Sequence, residues 1–165
     1  MMETLTSVLE VLINGRGAKA KGAIGEREFL KAIGAELTSL GFPVPEVGFQ
    51  RNLEQTRHGG FDNHNEDCLS HWAIEIRRRE NLSLGAWWKD VCTKASKLER
   101  VPVIAYRQNR KPWAIALPFY IEPHQLMYPS GCDYSQYQPI TMDLPCFVQL
   151  VDYIHKQQEL NNAST

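Results

Sequence analysis

GGFDNHNEDCLSHWAIEIRRRE, residues Gly59 to Glu80, is the stretch whose reading decides the fold. The run Trp72, Ala73, Ile74, Glu75, Ile76, Arg77 alternates as a half-buried strand does, with Ile74 and Ile76 on one face. Glu75 and Arg77 then project from the other face, because side chains at i and i+2 of a strand point the same way. An acid and a cation placed side by side behind an apolar face make poor core material and suit a site. A second carboxylate, Asp62, follows the glycine pair Gly59-Gly60. Such a pair makes an ordinary tight turn, or a sharp bend that delivers Asp62 toward Glu75 and lets another group approach the backbone closely.

The whole chain sets bounds on this reading. Its 165 residues, 43% hydrophobic and 22% charged, correspond to one ordinary globular domain that can bury a core without disulfides. The cysteines at 68, 92, 132 and 146 form no CxxC pair and no secretory apolar region opens the chain, so a reduced, intracellular protein is expected. No stretch approaches the roughly 20 apolar residues of a membrane helix. The net charge of −1 carries no global nucleic-acid signature. Between Trp72 and Lys111, however, ten basic residues stand against four acids, a local charge of +6. One basic face can hold phosphates on a nearly neutral protein.

Leu5, Val8, Leu9, Leu12 and Ile13 recur at helical spacing, predicting a short amphipathic helix over residues 3–13. A glycine-bearing basic loop, Arg16 to Lys21, follows, either a solvated hinge, which is the preferred reading, or a phosphate-contacting arm. Ile24, Phe29, Leu30, Ile33, Leu37 and Leu40 mark the main N-terminal helix over Gly22 to Leu40, stopped by Gly41, Pro43 and Pro45. Val47 to Leu53 reads as a strand. Leu84, Trp87, Trp88, Val91, Cys92, Ala95 and Leu98 mark a crossover helix over Leu82 to Leu98, with Ser83 as its N-cap. Val101 to Arg107 and Trp113 to Leu117 are two further strands. Pro118 to Pro145, rich in Pro, Tyr and Gly, has no readable period. Phe147 to Leu160 is a terminal amphipathic helix with Phe147, Leu150, Val151 and Ile154 on one face. This order is an α/β layout of strands and helices. It forms a single domain over residues 1–165, divided into an N-terminal helix and basic loop (1–21), a core (22–118) and a C-terminal extension and helix (119–165). His58, His64, Cys68 and His71 offer zinc-type ligands but match no standard spacing, and a polar surface loop is preferred for them.

Asp62 after Gly-Gly, followed by Glu75-Ile76-Arg77 on a strand, resembles the PD-(D/E)xK nuclease superfamily, and within it the small phage and prophage members described as Holliday junction resolvase-like. Gly25-Glu26-Arg27-Glu28, Arg51-Asn52-Leu53-Glu54-Gln55, Pro102 to Arg107 and Lys111 to Ile115 extend the similarity over roughly residues 20 to 118. The resemblance implies a mixed central sheet flanked by helices in a restriction-endonuclease-like core, and a metal-dependent DNA endonuclease, selective for branched or four-way DNA. Glu26, by itself only an acid suited to a helix N-terminus, becomes a third metal-site acid beside Asp62 and Glu75. Mg²⁺, with Mn²⁺ as a substitute, suits a few carboxylates plus waters and phosphate oxygens. Arg77 would lie beside the phosphate, where the family usually carries Lys. Arginine holds its proton and can still orient a phosphate. The expected DNA contacts are Arg51, Gln55, Arg57, Arg78, Arg79, Lys94 and Lys97. A homodimer acting on DNA, intracellular and phage-encoded in a bacterial host, completes the expectation. Two other readings stand beside it: a non-cleaving DNA-binding protein on a nuclease scaffold, and a protein–protein interaction module.

Overall fold

The computed structural model describes residues 22–45, 49, 67–118 and 133–163. The expected N-terminal helix over 3–13 and the strand Val47 to Leu53 lie outside the described residues, Phe49 excepted. In chain order the described elements are α1 (residues 22–39), β1 (Trp72–Arg78), α2 (Leu84–Lys97), β2 (Val101–Arg107), β3 (Ala114–Pro118), β4 (Pro139–Asp143) and α3 (Leu144–Ala163), with single 3₁₀ turns at Asp67–Leu69 and Tyr134–Gln136. They form an α/β fold around a four-stranded sheet of order β1-β2-β3-β4. β1 and β2 are parallel, with Trp72 opposite Val101, Glu75 opposite Ile104 and Arg78 opposite Arg107. The parallel pair needs a crossover, which α2 supplies. β2–β3 and β3–β4 are antiparallel, so the sheet is mixed.

Each helix ends where backbone chemistry dictates. α1 buries Phe29, Leu30, Ile33 and Leu37 along one stripe. It closes on Gly41 at φ 87°, with the Gly41 N–H donating to Thr38 O and the Phe42 N–H to Leu37 O. That is the double bond of a Schellman cap, in which only glycine takes the left-handed position without strain. α2 buries Trp88, Val91, Cys92 and Ala95, and repeats the same cap with Glu99 at φ 53°. A side chain in that region costs about 1–2 kcal/mol. Glu99→Gly is therefore expected to stabilise the fold by about 1 kcal/mol once the extra freedom of glycine in the unfolded chain is subtracted. Urea denaturation of the two proteins measures it, and a lower midpoint in the glycine variant would refute the strain argument.

Three expectations shift. α2 begins at Leu84 rather than Leu82, because the Ser83 carbonyl accepts from the Ala86 and Trp87 amides; the Ser83 hydroxyl makes no capping bond. The third strand starts one residue later than Trp113, whose ring packs edge-on against Phe29 of α1 at 5.0 Å between centroids. The terminal helix starts at Leu144, three residues before Phe147, because Asp143 Oδ1 accepts from the Cys146 amide at 2.8 Å. That side-chain cap starts the helix. Within the unreadable segment stand β4 and the buried Tyr134.

Both faces of the sheet are covered. Trp72, Ile74, Ile76 and Arg78 of β1 face α1 and α3: Trp72 meets Phe147 edge-on at 5.2 Å, and Gly25 lies against Arg78. Ala73, Glu75 and Arg77 project from the opposite face, the side of α2. Glu75 is 3% exposed, the one charged residue buried in the core among the described residues.

Candidate nuclease site

Burying a carboxylate in mid-strand is costly unless something there uses it. Arg77, two residues along the same face, donates from Nη2 to Glu75 Oε1 at 2.5 Å. Glu75 Oε2 is buried and accepts no hydrogen bond from any described residue. Burial pushes the Glu75 carboxyl above the usual range; Arg77 and then Lys94 pull it back, and Asp90 and Glu26 push it further up. Lys94 and Asp90 sit one turn apart on α2 and pair at 2.9 Å, and Glu26 belongs to the first turns of α1. Glu75 thus feels two further acids, Glu26 and Asp90, and two cations, Arg77 and Lys94, and the contacts among them include the Glu75–Arg77 and Asp90–Lys94 pairs. Such an arrangement suits a divalent cation and a phosphate better than it suits a core.

The other expected residues divide into two groups. Asp62, Arg51, Gln55, Arg57, His58 and His64 lie outside the described residues. Of the rest, Arg79 is exposed and held through its backbone N–H to Arg107 O at 3.1 Å, and Lys97 is exposed in the last turn of α2. Arg78 is engaged: it donates to Glu28 Oε2 at 3.0 Å and to Asn109 Oδ1. Cys68 packs partly buried against the core. His71 is half-buried; burial and the nearby Arg100 depress its pKa, opposed by a hydrogen bond with Gln158. No three metal-ligating side chains converge among the described residues. Glu75 Oε2 itself fits a hard cation, being a desolvated carboxylate oxygen with no donor among the described residues.

Asp90 was not singled out in the sequence, although an Asp four residues before a Lys on the crossover helix is a visible signal. Only the parallel pairing of β1 and β2 brings that turn of α2 beside Glu75.

A family model described as "phage putative PDDEXK endonuclease" matches residues 17–143. The chain belongs to that family. The match spans α1, the Glu75 strand, the crossover helix and β2–β4, and so agrees with the PD-(D/E)xK resemblance and with the mixed α/β core. No curated protein and no solved structure matches the chain. No helix among the described residues is long and apolar enough to cross a membrane.

Proposed function

We propose that this endonuclease-family protein is a metal-dependent DNA endonuclease whose site is built on Glu75. The observation that carries the reading is the buried Glu75 Oε2, which has no hydrogen-bond partner among the described residues, next to an ion-paired Arg77; the family resemblance implies that Glu75 is the second acid of the site. Glu75 and Asp62, with Glu26, would hold Mg²⁺ or Mn²⁺, which supplies Lewis-acid polarisation of the phosphate and a more acidic water when bound. Arg77 and Lys94 bring fixed positive charge to the face where the scissile phosphate would lie. Their contribution is electrostatic, greatest as negative charge builds on the phosphoryl oxygens. Cleavage of linear, flapped and four-way DNA with Mg²⁺, against the same reactions in chelator, tests the reading. Hydrolysis of any of them that persists undiminished in chelator would defeat it.

Selectivity for branched DNA and a homodimer belong to the same proposal. Paired incisions across a junction need two sites related by a two-fold axis, which a cyclic dimer provides. A monomeric mass at micromolar concentration with full cleavage of junctions would remove the dimer from the mechanism. DNA contact itself is proposed to be read through phosphates rather than bases, given the local charge of +6 between Trp72 and Lys111. Arg79→Glu and Lys97→Glu, at two exposed positions, are expected to weaken binding equally on all sequences and to flatten its salt dependence. A change in sequence preference without loss of affinity would contradict this.

A further inference from the structure

Gly25 is buried in α1 against the end of β1. A methyl group added there would come 2.8 Å from Arg78 Cβ and 3.4 Å from its Cδ. Both β-carbons are fixed by their backbones, so no rotamer change relieves the contact; α1 itself would have to move. One helical turn later Glu28 Oε2 accepts from Arg78 Nη1 at 3.0 Å and from Arg107 Nη2 at 2.5 Å. The parallel register sets those two arginines side by side at the same end of neighbouring strands. Two like charges so placed repel, and Glu28 between them turns the repulsion into a clamp. Phe29 then packs edge-on to Trp113 at 5.0 Å, while the Arg107 guanidinium lies 4.8 Å above the same ring. Residues 25, 28 and 29 therefore seat one helical face on one spot of the sheet.

The residues next to that seat are the site residues. Glu26 follows Gly25, and Arg77 precedes Arg78. We propose that Gly25 and the Glu28–Arg78–Arg107 clamp are positioning elements for the site: they fix how closely α1 approaches the end of β1, and so set where Glu26 stands relative to the strand that carries Glu75 and Arg77. The proposal rests on the metal-site reading above. It also gives Arg78 a role inside the molecule rather than on DNA.

The test uses the full chain, Mn²⁺ alone as probe followed by electron paramagnetic resonance, and hydrogen exchange of the α1 amides. Gly25→Ala alters no charge and raises intrinsic helix propensity. It is nevertheless expected to bind Mn²⁺ about ten-fold more weakly, in the range found when groups that orient metal ligands are lost. Glu28→Gln should do the same with faster exchange in α1, and both should lower kcat while leaving KM for DNA unchanged. Gly25→Ala with wild-type Mn²⁺ affinity, or with a loss of thermal stability alone, would overturn the proposal. If Gly25→Ala does not fold, wild-type affinity in both Glu28→Gln and Arg107→Lys overturns it instead. Glu75→Ala separates the two levels. If it loses Mn²⁺ while the clamp variants keep it, the metal site stands and the positioning role falls; if it binds as the wild type does, both fall.

Discussion

Glu75→Gln is expected to remove measurable cleavage and Mn²⁺ binding while making the fold more resistant to heat at neutral pH. The functional half follows from the ligand set: an amide oxygen carries no charge, and losing several kcal/mol of cation-derived stabilisation corresponds to at least about 10³-fold in rate, at 1.4 kcal/mol per decade. Asp62→Ala is expected to have the same functional effect. The stability half follows from burial. Desolvation raises the Glu75 pKa in the folded chain above its unfolded value, the Arg77 and Lys94 charges notwithstanding. A carboxyl with a raised folded pKa is harmless below its unfolded pKa and costs stability as pH rises through the folded one. A glutamine at this position has no such cost, so the melting temperatures of the two proteins should agree in acid and diverge as pH climbs past the ordinary carboxylate range. A glutamine variant that melts lower at pH 7, or that cuts at the wild-type rate, would show that Glu75 is a structural ion-pair partner of Arg77 and nothing more.

The Glu75–Arg77 pair was visible in sequence because it is local. The i, i+2 relation of Glu75 and Arg77 needs only the pleat of a strand, and the observed pair reproduces it. The strands β1 to β3 and the helices α1 and α2 were legible for a similar reason, each carrying its own apolar pattern and its own stop signal, such as Gly41, whereas the mixed pairing of the sheet was implied by the family resemblance. β4 was not. Its five residues are all partly or fully exposed, and what makes them a strand is pairing with β3, Met142 opposite Ile115, supplied by another part of the chain. Pro145 compounded the miss, reading as loop although proline is well tolerated in the first turn of a helix. The clamp at Glu28 is still less local. Its partners lie 50 and 79 residues away in the chain, and beside Glu26 it looks like one more acid suited to a helix N-terminus.

Arg77→Ala is expected to lower kcat about 10²-fold, the scale of one lost electrostatic contact to a developing charge, while leaving Mn²⁺ binding intact or tighter. The cation cannot ligate a metal, and its removal takes a like charge away from the ion and frees Glu75 Oε1 from its 2.5 Å contact. Arg77→Lys is the sharper change. Lysine keeps the positive charge next to Glu75, restores the residue the family usually carries, and offers an ammonium that can give up a proton where a guanidinium cannot. Its activity should equal or exceed that of the wild type, and the gain should appear in kcat rather than KM, because the exposed basic residues that would hold DNA are untouched. Single-turnover rates over a Mg²⁺ titration separate the two effects, since affinity moves the midpoint and chemistry moves the plateau. A dead Arg77→Lys beside an Arg77→Ala that cleaves normally would mean that the phosphate lies elsewhere, and that Arg77 serves only to neutralise the carboxylate buried beside it.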